Sequence, residues 1–119
     1  MVAHIVLLKP RLDLSPDERE QFVAVFERAI RTIPEVRGVR IGIRVKHSAG
    51  YEGSMHDAAD FLALVYFDDL DGLKRYLSHP AHDELGQLFG RYLSAALVYD
   101  FEVGGLDLLQ NVLSRSITG

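Results

Sequence analysis

The sequence predicts an α+β domain in which four antiparallel strands carry helices on one face. Two observations lead there. Apolar residues alternate, or form short β-branched runs, over residues 2–8, 39–45, 61–67 and 95–103, whereas over 16–33 and 70–92 they recur at helical spacing. The resulting order is strand, helix, strand, strand, helix pair, strand, which is the split-βαβ, or ferredoxin-like, arrangement.

Residues 2–8 are rich in β-branched side chains and closed off by Pro10, as expected of a strand buried on part of both faces. The first helix starts at Ser15. A serine N-cap, Pro16 at the first helical position and Glu18 at the capping-box position together satisfy amides that would otherwise lack partners. Phe22, Val25, Phe26, Ala29, Ile30 and Ile33 form an apolar stripe opposite Glu20, Glu27, Arg28 and Arg31, so this helix lays one side on a sheet and ends near Pro34. Val39, Ile41, Ile43 and Val45 then alternate with Arg40, Gly42 and Arg44, a half-buried strand whose other face meets water or charge.

Residues 48–59 contain Gly50, Gly53, Ser54, His56 and Asp57 without periodicity and are expected to form a long loop with freedom to move. A third, strongly apolar strand follows at 61–67. Asp68 or Asp69 can cap a short helix carrying Leu70, Leu73 and Leu77. Ser78-His79-Pro80 interrupts it before Ala81, Leu85, Leu88, Phe89 and Tyr92 resume helical spacing. Two short helices therefore meet at Pro80. The last strand, 95–103, ends at Gly104-Gly105, which sets the expected domain at 2–103. The tail, 104–119, carries Leu106, Leu108, Leu109, Val112, Leu113 and Ile117, a pattern that suits a docking helix, an arm across a partner subunit, or a frayed end.

Composition narrows the function classes. At 119 residues, 48% hydrophobic and 25% charged, the chain suits one globular core rather than disorder. A domain this small leaves much surface exposed, and helices on one face leave the other face of the sheet open, so a homodimer joined through its sheets is expected. The absence of cysteine removes disulfides, thiolate metal sites and cysteine nucleophiles. A net charge of −4 provides no basic footprint for nucleic acid. No run approaches the ~20 apolar residues of a membrane span, and the short run at 2–8, which includes His4, does not suit a signal segment. A cytoplasmic protein without nucleic-acid or membrane partners is expected.

His4-Ile5-Val6-Leu7, residues 60–67 (Asp-Phe-Leu-Ala-Leu-Val-Tyr-Phe), residues 76–82 (Tyr-Leu-Ser-His-Pro-Ala-His) and Val98-Tyr99-Asp100-Phe101 together resemble the stress-responsive dimeric α/β-barrel (Dabb) family. The resemblance covers about 2–103 and implies a ferredoxin-like α+β barrel completed by two subunits, as in related antibiotic-biosynthesis monooxygenases. It implies no single chemistry, because many members have no assigned activity and one fold hosts many reactions.

Tyr76, His79 and His82 cluster where the helix breaks at Pro80, a place suited to aim side chains into a cavity. In plant polyketide cyclases of the family, a tyrosine and the second histidine of His-Pro-Ala-His are implicated in catalysis; the resemblance assigns those positions to Tyr76 and His82. A neutral imidazole near its ordinary pKa takes a proton α to a carbonyl while a phenol holds the developing oxyanion. Neither metal nor organic cofactor is needed. The same residues have a structural account, with His79 capping the helix that starts at Pro80 and His82 completing the turn network. The cyclases also carry a histidine on the third strand where this sequence has Phe61, which makes Phe61 an apolar ligand contact in place of a polar one. His4 interrupts an apolar strand, so it either contacts a ligand alongside His79 or is a core histidine satisfied within the protein. His47, His56, Asp57 and Asp60 match no recognised metal spacing, and no glycine-rich phosphate loop or nucleophile elbow is present.

Three functions fit these residues. The first is a dimer that holds a small apolar or aromatic molecule in its barrel cavity, in a stress-linked role. The second is a cofactor-free enzyme of cyclase, isomerase or oxygenase kind, with His82 as base and Tyr76 as its partner. In the third, an assembly module, the tail sets the oligomeric state.

Overall fold

Strand β1 (Val2–Pro10), apolar on both of its faces, takes a central place in the sheet. It pairs antiparallel with β3 (Phe61–Phe67) on one side and with β4 (Leu93–Glu102) on the other, and β2 (Gly38–Ile43) adds to β3, giving the order β2-β3-β1-β4. This is the ferredoxin-like α+β order. The computed structural model describes residues 1–118, with the side chains of 115–118 outside the description. Helices α1 (Pro16–Thr32), α2 (Leu70–Ser78) and α3 (Pro80–Tyr92) join the strands, and α4 (Leu108–Thr118) follows the sheet. No described helix is long and apolar enough to cross a membrane.

Because side chains alternate along a strand while directly paired residues share a face, the register sorts the sheet. Val2, His4 and Val6 stand opposite Phe67, Val65 and Ala63, and His4 and Val6 stand opposite Asp100 and Val98. This face packs beneath the helices, with Val25, Ala29 and Ile33 of α1, Leu73 and Tyr76 of α2, and Leu85 and Leu88 of α3 closing a common core over Val65 and Phe67. The opposite face carries Ile5, Leu7, Leu64, Leu97, Tyr99 and Phe101. Of these, Tyr99 and Phe101 are 51% and 53% exposed, a contiguous apolar surface with no helix over it.

The capping box at the start of α1 forms in both directions. The Glu18 amide donates to Ser15 Oγ at 3.1 Å, and the Ser15 amide donates to the Glu18 carboxylate at 3.0 Å. Asp69, rather than Asp68, caps α2 by accepting from the Gly72 amide at 2.8 Å, while Asp68 pairs with Arg37.

Strand ends differ from the sequence reading. β2 stops at Ile43 rather than 45 because Ile43 faces Phe61, the first residue of its partner β3; beyond it there is no strand to pair with, and Val45 is exposed. β4 starts at Leu93, directly after α3, and its pairing with β1 shifts register between Lys9 and Pro10. The 48–59 segment is a loop held together by its own side chains. It contains a 3-10 turn, Glu52–Ser54, the Glu52 carboxylate accepts from the His47 and Ser48 amides, and Lys9 and Arg44 both pair with Asp57. Ser48 takes a positive φ of 67°, in the left-handed region that residues other than glycine seldom enter.

Candidate functional site

The corner between α2 and α3 has no linker. His79 is at once the C-cap of α2 and the N-cap of α3: its amide donates to the Tyr76 carbonyl, and its Nδ1 accepts from the Ala81 amide at 3.0 Å. Its carbonyl accepts from the His82 and Asp83 amides at 2.9 and 3.1 Å. One residue thus satisfies groups at both helix ends, and Pro80 opens α3 where its missing N–H costs nothing. The result is a sharp turn that brings Tyr76 and His82 to 4.8 Å between ring centroids, edge to face at 61°.

These two rings line a cavity of about 150 Å³ between the corner and the sheet, and His4 reaches it from β1. The other lining residues are apolar, among them Val6, Val65, Leu85, Phe89 and Val98. Tyr76 is 1% exposed, lies against Phe67 at 5.0 Å, and burial pushes its phenol up to about 12. His82 moves the other way. Burial first, then the neighbouring His4, lower its pKa from the ordinary histidine value, with Asp83 and the Leu77 backbone pulling against them. Its expected near-ordinary pKa is therefore corrected downward, because a half-buried imidazole holds a proton less readily.

His4 is buried, with its ring 5.7 Å from Tyr76 and 6.5 Å from His82. Its Nδ1 lies 2.6 Å from Asp100 Oδ1. A carboxylate at that distance accepts a proton carried on Nδ1, which fixes the ring's orientation toward the cavity. Asp100 was not among the candidates from sequence. The signal was present, since Ala96, Val98, Asp100 and Glu102 share one face of β4 and Asp100 is one of two carboxylates in that row, but which of them stands opposite His4 depends on register.

The structure therefore brings Tyr76, His82 and His4 together, and places the other two candidates elsewhere. The His79 ring is engaged in capping and is not part of the cavity lining. Phe61, at the start of β3, lines a larger groove of about 790 Å³ between α1 and the β2–β3 edge, with Phe22, Phe26, Ile30, Val39 and Ile41. That groove and the inner cavity share Leu8, Phe26 and Ala63 as walls. In the loop, His47 bonds to the Tyr51 hydroxyl at 3.0 Å, and among the described residues no group of three or more His, Asp or Glu side chains could hold a metal ion.

The model of the stress responsive A/B barrel domain matches residues 2–103. The chain belongs to this family. As an A/B barrel domain it is 24% identical over 100 residues to olivetolic acid cyclase of Cannabis sativa, spanning 84% of this chain and 94% of the cyclase. Among solved structures it resembles a dimeric ferredoxin-like protein of Thermobifida fusca, with a TM-score of 0.65, 24% identity and coverage of 86% of this chain and 90% of the other. It also resembles hydroxynitrile lyase of Passiflora edulis, with a TM-score of 0.70, 16% identity and coverage of 87% and 93%. The two solved structures bear on the fold alone. The A/B barrel match ends at 103, so α4 lies outside it.

Proposed function

We propose that this A/B barrel domain is a homodimeric, cofactor-free enzyme acting on a small carbonyl compound with an apolar or aromatic body. In this reading His82 is the general base and Tyr76 donates a hydrogen bond to the developing oxyanion. One observation carries it: two rings in contact in an apolar cavity, with an imidazole kept neutral and a phenol kept protonated by the same burial. A neutral base beside a neutral donor is the pair that proton abstraction α to a carbonyl requires. His4, held by Asp100, is a third polar contact. The similarity to a curated cyclase supports the same chemistry.

The dimensions fit such a substrate. A cavity of about 150 Å³ has room for about one benzene ring, and the larger groove lies within the ~300–1,000 Å³ of ordinary ligand sites. A molecule with its reacting segment between His4, Tyr76 and His82 would extend past Leu8, Phe26 and Ala63 toward Phe61. The open sheet face with Leu97, Tyr99 and Phe101 is where a second copy would pack in the homodimer, as befits a relative of proteins described as dimeric.

The binding reading, a stress-linked carrier that holds an aromatic molecule without turnover, draws on the predominantly apolar walls of both spaces. The two separate in one experiment. Phenolic and polyketide-like aromatic compounds are screened by thermal shift on wild type and His82→Ala, and hits are then assayed for turnover. Turnover lost in His82→Ala supports the enzyme. Hits bound equally by both proteins without turnover support the carrier and overturn the role of His82.

A further inference from the structure

We propose that α4 is a dimer arm, which crosses to the second copy of this chain and lays Leu109, Val112 and Leu113 on its surface. This rests on the homodimer proposed above. The helix lies outside the A/B barrel match and makes no substantial contact with the sheet or with α1, α2 and α3 among the described residues. It leaves Leu109, Val112 and Leu113 at 54%, 46% and 53% exposure. Leu108 to Ser114 contains no charged residue. A helix of 11 residues is marginal in water by itself, since isolated helices need roughly 12–15 residues even with favourable sequences. Its stability therefore calls for a surface on which to bury that stripe.

The surface is not its own domain. The radius of gyration is 16.4 Å, with a longest dimension of 50 Å, whereas a compact chain of this length has about 13.5 Å. The excess fits an element standing away from the body. A second copy is the occupant favoured by continuity. The exposed apolar residues of the open sheet face, Tyr99 and Phe101, run on past the end of β4 to Val103, whose amide still bonds to the Met1 carbonyl at 2.9 Å, and then to Leu106, which is 87% exposed. From there the stripe passes into α4. A partner sheet seated on the open face would thus lie beside the root of the arm, and two-fold symmetry would make the exchange reciprocal.

The test uses the full chain. Sedimentation across a concentration series gives the dimer Kd of wild type and of Leu109→Lys/Val112→Lys, and amide exchange of residues 108–114 is followed at concentrations on either side of that Kd. The expected result is a Kd raised about a hundredfold by the variant, given two apolar side chains lost on each of two arms, with protection of 108–114 present in the dimer and absent in the monomer. Tyr99→Lys on the sheet face serves as the control that weakens the dimer by itself. An unchanged Kd in the arm variant, with Tyr99→Lys weakening the dimer, overturns the arm and leaves the homodimer standing. Protection of 108–114 that does not depend on concentration, or that appears only with phosphatidylglycerol vesicles, likewise overturns it. A wild type that sediments as a monomer throughout overturns the homodimer and the arm with it.

Discussion

Asp100 of β4 stands directly opposite His4 of β1 and holds its Nδ1 at 2.6 Å. The imidazole is buried while the Asp100 side chain is 39% exposed, so a wet carboxylate orients a dry ring. Replacing Asp100 by alanine leaves a buried donor unpaired. The expected cost is about 1 kcal/mol of unfolding free energy, at the lower end for a buried donor left without its partner because the carboxylate it loses is partly solvated. Asp100→Asn keeps an acceptor and should retain most of it. Urea denaturation of the three proteins checks this, and equal stability of Asp100→Ala and wild type would show that water replaces the carboxylate.

His82 should titrate below the ordinary histidine value, because burial and His4 disfavour its charged form. The unfolded chain then binds the proton more readily than the folded one, so stability falls as pH drops below about 6.5 toward the lowered folded pKa. His82→Gln should flatten that part of the pH–stability curve. Any His82-dependent turnover should rise with pH through a midpoint below about 6.5. Ring-proton NMR titration, with His82→Gln to assign the signal, reads the midpoint directly. A His82 midpoint above about 6.5 would remove the basis for a base kept neutral by burial.

The Tyr76 phenol, pushed up to about 12, has the opposite sign. An unfolded tyrosine ionises near pH 10, so folding loses stability as pH rises above about 10 and through 12. Tyr76→Phe should lessen this alkaline loss and remove a late step in phenolate absorbance while keeping the packing against Phe67. Tyr76→Ala should cost about 3–5 kcal/mol, as for other large buried rings. Equal alkaline titration of wild type and Tyr76→Phe would show that the phenol is wetter than its burial implies.

His79→Ala should act through the corner. Loss of the side-chain cap on α3 is expected to cost about 1 kcal/mol, with His79→Asn restoring most of it, and ligand affinity should be nearly unchanged in both once folding is corrected for. Ser15→Ala at the head of α1 provides a cap of similar worth far from the cavity for comparison. An affinity loss in His79→Asn that matches His82→Ala would make His79 a ligand contact.

Local chemistry explains what was legible. Ser15-Pro16-Asp17-Glu18 announces a helix start, alternation marks β2, and the proline after His79 announces the corner, because each depends on neighbours within one turn or one strand. The resemblance then pointed to Tyr76 and His82, and the geometry placed them in one cavity. What stayed hidden depends on distance along the chain. The Asp100–His4 bond joins positions 96 residues apart and needs the register of β1 on β4. The end of β2 depends on where β3 starts, and the Phe61 groove depends on how α1 sits over the sheet edge. The side chain of Ile117, counted in the apolar tail, lies outside the described residues.

The central position of β1 also sets a timetable. Strand β1 is synthesised before both of its partners and is paired only when β3 and then β4 have been made, and non-local pairing of this kind is slow in forming a fold. Until residue 100 emerges, the imidazole of His4 has no carboxylate to hold it, and a chain cut short of β4 lacks Val98 from the pocket wall. Nearly the whole domain must be translated before its buried histidine is satisfied, so a competent site is also a report that the domain has been made and closed.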